Sequence, residues 1–300
     1  MKILIIGKNG QLGWELNQLL RSKTDLVALD FPDIDLNDPD NLCHNIEQIK
    51  PAIIINAGAY TAVDEAEIEN KKAFSINGRG PGILAELARS LDAVLIHYST
   101  DYVFDGLDGP YVETDLPSPI NEYGKSKLKG ENEICSVDGT YLILRTSWVY
   151  NMKSDNFVTR VMKWAREKET MKIVDDQISN PTFARELAIG TDSLISLAGK
   201  DYRSWFNDNK GLYHLAGNGF ISRFGWVKKI IELDPDKDKH LVSNLIPVSS
   251  TSFPTPAKRP LFSALDCQKF FATFGFQLPK WEQSLNWALR SSKISDYIEH

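Results

Sequence analysis

Residues 3–13 limit what this chain can fold into more than any other stretch. Four apolar residues, Ile3 to Ile6, run straight into GKNGQLG, and Leu12, Leu16, Leu19 and Leu20 then recur at helical spacing. A short continuous apolar run reads as a buried strand, and Gly7, Gly10 and Gly13 give a tight turn from it into a helix. Such a turn aims backbone amides and the positive helix end at an anion, so it suits a dinucleotide pyrophosphate. The same glycine spacing also closes ordinary strand–helix units, which leaves the ligand open at this point.

The alternation continues. LVALD at 26–30, AIIINAG at 52–58, AVLIHYST at 93–100 and LILRTSWVY at 142–150 read as further strands, with helical patterns at 71–77, 82–91 and around 123–127. Strands separated by helices predict an α/β fold with a doubly wound, Rossmann-type parallel sheet. Past residue 150 the pattern loosens into helices at 156–168 and 184–198, an ordered proline-rich loop at 247–260, a helix ending at Gly275 and a last helix over 281–289. The expected organisation is a dinucleotide-binding domain at 1–150 and a smaller α/β substrate lobe at 151–300, some of whose segments return to the sheet. A chain of 300 residues is long enough to give both a core.

Composition excludes several classes. The net charge of −6, with scattered Lys and Arg, argues against a nucleic-acid surface. No stretch approaches the roughly eighteen apolar residues of a membrane span, and the apolar run at the start is too short for a signal-peptide core. Cys43, Cys135 and Cys267 form no CxxC pair, which fits thiols in a reducing, cytoplasmic setting.

The second informative segment is YGKSK at 123–127. Tyr123 and Lys127 lie one helical turn apart on one face, so the ammonium is placed to favour a phenolate when the tyrosine gives up its proton. A hydride carrier and a proton donor together point to carbonyl reduction. The strand before it ends in HYSTDYVFDG, putting Ser99, Thr100, Asp101 and Tyr102 at the carboxyl end of a parallel strand, where open sheets bind ligands. Thr100 is the candidate hydroxyl for orienting a substrate carbonyl. Asp30 closes the second strand, where a carboxylate accepts from the adenosine ribose; this favours NADH, although Lys8 and Arg21 are cations able to meet a 2′-phosphate. Ala57, Gly58 and Ala59 let backbone pass close to a flat ring or equally let a helix pack on the sheet. Trp148 offers an apolar face to a hexose or fills a core. Lys258 and Arg259, after the proline-rich loop, suit a diphosphate, or Arg259 pairs with a surface acid.

With these strings in hand, GxxGxxG plus YxxxK resembles the extended short-chain dehydrogenase/reductases. GKNGQLGWEL, NAGAYTAVDEAE, HYSTDYVFDG, NEYGKSKLKGE, LRTSWVY and RPLFSALD, in that order along residues 7–266, resemble the dTDP-4-dehydrorhamnose reductase family. The resemblance implies that Gly10, Gln11, Leu12, Asp30, Asp35, Leu36, Ala59, Tyr60 and Thr61 contact NADPH or NADH. It implies Thr100, Tyr123 and Lys127 as the catalytic set, with Asp101 and Trp148 against a dTDP-sugar. The expected reaction is reduction of the 4-keto group of dTDP-4-dehydro-β-L-rhamnose. A homodimer is a further expectation. Some members place acids around Mg²⁺ between subunits; Glu15 and Glu186 match two of those positions and Ser291 stands at the third, which puts Mg²⁺ in doubt and leaves the two acids as surface glutamates on helices. Two rivals remain from the sequence: a non-catalytic subunit similar to the β subunit of methionine adenosyltransferase, and another sugar-nucleotide reductase or epimerase.

Overall fold

A computed structural model describes residues 1–296. The first half runs β1 (Lys2–Ile6), α1 (Gln11–Leu20), β2 (Asp25–Leu29), α2 (Pro39–Ile49), β3 (Ile53–Asn56), α3 (Asn70–Phe74), α4 (Gly80–Ser90), β4 (Val94–Thr100), α5 (Glu122–Ser136) and β5 (Thr140–Thr146). The second half holds β6 (Val149–Tyr150), α6 (Phe157–Glu167), β7 (Thr170–Val174), β8 (Ile178–Ser179), β9 (Thr182–Phe183), α7 (Ala184–Ala198) and α8 (Tyr202–Asp208). It continues through β10 (Gly211–His214), β11 (Ile221–Ser222), α9 (Arg223–Leu233), β12 (Asn244–Val248), α10 (Gln268–Phe274) and α11 (Trp281–Asp296).

Six parallel strands form the main sheet in the order β10-β5-β4-β3-β1-β2. Because successive strand residues face opposite sides, Ile3 and Ile5 pack with Leu16, Leu20 and Leu187 on one face, and Leu4 and Ile6 with Leu42, Ile46 and Leu84 on the other. Both faces are covered, as continuous apolar strands require. The chain reverses its direction of travel between β1 and β3, which opens a crevice at their carboxyl ends.

A second core lies in the later half, where Tyr150, Val161, Ile173, Phe183, Trp226 and Leu285 are buried together. Three short strand pairs, β7 with β12, β8 with β11 and β6 with β9, frame it. β10 belongs to the main sheet although it follows α8, so the later chain does come back to the first layer.

Several sequence expectations change. LILRTSWVY is not one strand: β5 ends at Thr146, Trp148 takes φ +41°, and β6 joins a different sheet. Left-handed backbone at a bulky residue breaks a strand that apolar composition alone would continue. The helix expected at 71–77 is a short α-helix passing into a π-turn over Ser75–Arg79. The stretch before Gln268 is not helical, so the helix ending at Gly275 is shorter than its apolar run. The start of α2 is fixed by its own sequence: Asp38 accepts from the amides of Asp40 and Asn41, and Pro39 opens the helix.

Candidate active site

At the cofactor end, Gly7 has φ +90°, and a Cβ there would stand 2.6 Å from the Gly58 amide nitrogen. A Cβ on Gly13 would fall on the Gly7 carbonyl oxygen. Both positions therefore demand glycine, and the turn closes directly against β3's loop. Gly10 caps α1 with extended backbone and no side-chain hydrogen bond, leaving the first helix amides without a side-chain partner. That uncapped end fits a pyrophosphate, so the residues present suit a dinucleotide. Asp30 Oδ2 accepts from the Asn9 amide at 2.8 Å and Oδ1 from the Phe31 amide, fastening the turn to the end of β2.

The other expected cofactor residues divide by which atoms they offer. Leu12 and Leu36 pack into the two cores of the sheet, so neither offers its side chain as a polar contact. Gln11 is tied to the later half by its Nε2 donating to the Val149 carbonyl and its Oε1 accepting from the Asn151 amide. Asp35 Oδ1 accepts from the Asn37 amide. Tyr60 is clamped by Asn77 through backbone N–H and C=O, its hydroxyl donating to Glu69 at 2.6 Å. Ala59 is half-buried and Thr61 exposed. Lys8 pairs with Asp33 at 3.8 Å, near the Asp30 loop. Arg21 follows the last turn of α1, at the end opposite the glycines, which removes it as a phosphate partner.

Thr100 ends β4 and Tyr123 opens α5, whose first turn is set by Asn121: its Oδ1 accepts from the Gly124 amide, and its Nδ2 donates to the Lys258 carbonyl. The Thr100 hydroxyl stands beside the Tyr123 phenol. Burial pushes the Tyr123 phenol above its ordinary value, with the neighbouring Thr100 hydroxyl opposing it. The phenol is thus protonated at neutral pH, ready to donate. Lys127 is buried and does not answer the spacing argument directly: its Nζ donates to the Tyr98 carbonyl at 2.7 Å and lies 3.2 Å from His97 Nε2. Burial pushes its ammonium down to about 8, against the pull of Glu131.

Asp101 is buried beneath this pair. Its Oδ1 accepts from Thr100, and its Oδ2 from Ser263 at 2.5 Å and Ser179 at 3.1 Å. Burial pushes its carboxyl up to about 6. Both oxygens are thus engaged within the protein, one of them by Thr100.

Between α6, β7, the start of α9 and the proline-rich loop opens a cavity of about 1030 Å³, whose lining includes neither Thr100 nor Tyr123 nor Lys127. Its lining carries Arg160, Lys168, Lys172, Arg223, Lys258 and Arg259 and, among the described residues, no carboxylate; Phe157 and Trp164 supply apolar walls. A concentration of cations around an aromatic-walled space suits an anion that carries a ring. Asp64 holds Arg259 through Nη1 and Nη2, which fixes the orientation of its guanidinium at the cavity wall. Trp148 stacks on Trp226 with ring centroids 5.4 Å apart, and the Arg223 guanidinium lies 3.9 Å from the Trp148 centroid. Arg223 was missed in the sequence because a lone arginine opening a helix has no local signature; only the cation–π geometry singles it out.

Glu15 and Glu186 are buried, contrary to the surface placement expected of them. Glu15 accepts from Arg185 at 3.0 Å and Glu186 from Ser284 at 2.5 Å. A guanidinium at one acid and a hydroxyl at Ser291 do not fit a divalent cation, and among the described residues no cluster of three acids, histidines or cysteines is assembled. No helix among the described residues is long and apolar enough to cross a membrane.

A parallel α/β sheet, a glycine turn at an uncapped helix and a Thr/Tyr/Lys set at the neighbouring strand end define a nucleotide-dependent reductase of the short-chain type. The model of the RmlD substrate binding domain matches residues 1–294. The dTDP-4-dehydrorhamnose reductase of Burkholderia thailandensis is 38% identical over 294 residues, covering 97% of this chain and 98% of that protein. The Escherichia coli K12 reductase is 38% identical over 288 residues, 94% and 95% of the two chains. A crystal structure of the Bacillus anthracis reductase in complex with NADP superposes with a TM-score of 0.87 at 33% identity, covering 97% of this chain and 99% of that one. The chain belongs to the dTDP-4-dehydrorhamnose reductase family.

Proposed function

We propose that this chain reduces the 4-keto group of dTDP-4-dehydro-β-L-rhamnose to give dTDP-β-L-rhamnose, with NADPH or NADH as reductant. The observation that carries this reading is the Thr100 hydroxyl standing beside the Tyr123 phenol where β4 ends and α5 begins. The nicotinamide, when bound, supplies the hydride to C4. Tyr123 gives its phenolic proton to the C4 oxygen while the Thr100 hydroxyl fixes that oxygen. Lys127 holds the cofactor ribose. Asp101 keeps Thr100 in place, and Arg223, Lys258 and Arg259 hold the diphosphate, with Trp148 against the hexose. Gly7, Gly10 and Gly13 leave the α1 amides free for the cofactor diphosphate, and Asp30 accepts from its ribose.

The division of labour follows: residues 1–150 hold the dinucleotide and 151–300 chiefly the sugar nucleotide, with β10 returning to the sheet. The same reading makes the protein a cytoplasmic homodimer, which fractionation and sedimentation test. A purely regulatory subunit of this fold has no use for a buried lysine one helical turn from a tyrosine at the sheet's carboxyl edge, and that observation favours catalysis. The deciding experiment incubates the protein with NADPH and enzymatically generated keto sugar, follows loss of nicotinamide absorbance and identifies the sugar formed. Absorbance loss with a 6-deoxy-talose product, or no loss at all, overturns the reading.

A further inference from the structure

A buried line of polar side chains reaches Lys127 from behind, and neither the proton transfer nor ligand binding uses it. Asn56 of β3 and His97 of β4 are register partners, both without exposed surface. Asn56 Oδ1 lies 3.1 Å from the Gly58 amide nitrogen, a group able only to donate. That contact settles the orientation of the amide: the oxygen faces Gly58 and Nδ2 faces the imidazole, 3.1 Å from His97 Nδ1. Facing a donor, Nδ1 must accept. A neutral imidazole that accepts at Nδ1 carries its one proton at Nε2. Nε2 lies 3.2 Å from Lys127 Nζ.

The consequence falls on the lysine. An uncharged amine has two hydrogens and a lone pair: one hydrogen goes to the Tyr98 carbonyl, and the lone pair accepts from His97 Nε2–H. An ammonium has no lone pair and turns a hydrogen toward the Nε2–H. Charging Lys127 therefore costs either that repulsion or the Asn56–His97 bond.

We propose that His97, locked by Asn56 as the Nε2–H tautomer, is a positioning residue that weakens Lys127's hold on its proton and so sets the pH above which reduction fails. This rests on the reductase reading of the site. Burial acts in the same direction on both groups, lowering the His97 imidazole well below its ordinary value and Lys127 as described above. The other groups facing this line are few. Glu131 on α5 favours the ammonium, though its carboxylate is bound to Arg145 of β5. Asp101 and Tyr102, from the turn after β4, act on Tyr123. On the remaining sides of α5, Glu67, Glu122 with Lys125, and Lys129 with Glu133 engage one another at the surface, as do Glu69 and Lys72 beside α3; Arg79 lies by Lys129 and Glu133.

The test has two independent arms. Long-range ¹H–¹⁵N correlation spectroscopy on histidine-labelled protein, with His97 assigned by His97→Gln, is expected to show a neutral ring protonated at Nε2 near neutral pH. A ring protonated at Nδ1 overturns the proposal, and this reading needs neither a variant fold nor any activity. The second arm titrates Lys127 through its Cε chemical shift and records kcat against pH. Asn56→Asp offers only acceptors, turns the ring to the Nδ1–H tautomer and gives Lys127 an acceptor, so the lysine pKa and the alkaline limb of kcat should both rise by about one unit. His97→Gln, turning its carbonyl to Lys127, should move both in the same direction. A structural role alone would lower kcat equally at every pH with both midpoints fixed, and that result removes His97 from the mechanism. If the Lys127 titration moves but the protein reduces no sugar, the tautomer stands and the reductase reading falls.

Discussion

The Arg259 guanidinium meets the Asp64 carboxylate fork to fork, Nη1 to Oδ1 and Nη2 to Oδ2 both at 2.5 Å, and Nη1 also donates to the Ala257 carbonyl. The acid holds the arginine charged and its own carboxyl below the usual range. A guanidinium oriented in this way at the rim of the cation-lined cavity is preorganised for phosphate oxygens, which lysine cannot reproduce. Arg259→Lys should raise the KM for the dTDP-sugar about tenfold, the loss of roughly 1.4 kcal/mol, with the KM for NADPH little changed. Asp64→Ala should raise the same constant by a smaller factor, through lost orientation. Steady-state kinetics with each substrate varied in turn checks both. An unchanged sugar-nucleotide KM, or equal losses for the two substrates, makes the pair a surface clasp.

Tyr123→Phe removes the phenol and leaves the ring against Tyr102, where the two rings meet edge to face with centroids 5.8 Å apart. Turnover should fall about 10²- to 10⁴-fold, the usual contribution of a positioned acid. Cofactor affinity, measured by fluorescence titration, should stay near that of the parent. More than half the parent turnover would assign the proton to another group.

How far the sequence was legible depends on how local each signal is. Ile3–Ile6 and Ile53–Asn56 read as strands because a strand buried on both faces needs apolar residues at every position. Tyr123 and Lys127 read as one face because helical spacing is fixed. The spacing said nothing about what lies behind that face, so Lys127's contacts with Tyr98 and His97 came only from the packing of α5 on β4. Trp148 looked like part of a strand, since an apolar run carries no sign of a residue at φ +41°. Arg223 and Arg259 gain meaning from partners far away in the chain, Trp148 for one and Asp64 for the other. Glu15 and Glu186 looked like surface acids on helices until the packing of α1 and α7 buried them.

Asp30 holds the glycine turn, because its Oδ2 accepts from the Asn9 amide, and in the proposed reading it also accepts from the adenosine ribose. Asp30→Ala should therefore weaken both cofactors by loosening the turn, and weaken NADH more, because only NADH loses the ribose contact without relief from a 2′-phosphate repulsion. The ratio of KM for NADH to KM for NADPH should rise severalfold. Equal weakening of the two would leave Asp30 with the turn alone.

Glu186 gives the stability of the fold a pH dependence with a definite sign. Burial pushes its carboxyl up to about 7, while the Ser284 hydroxyl donating to it pulls the other way. In the unfolded chain the same group titrates near ~4.3. Between those two values the folded protein binds the proton and the unfolded chain does not, so stability falls as pH rises through that window and levels off above about 7. Asp101, raised to about 6, adds a contribution of the same sign. Glu186→Gln removes the Glu186 part: a neutral amide of the same shape has no charge to desolvate and still accepts from Ser284. Thermal unfolding at pH 5, 6, 7 and 8, in steps of roughly one unit across the carboxyl range, should show the variant gaining on the parent as pH rises. At pH 8 the gain should be a few degrees in Tm, the effect of about 1 kcal/mol in a chain of this size. Parallel Tm curves for the two proteins would mean that Glu186 titrates as an ordinary surface acid and that the junction of α1, α7 and α11 is hydrated.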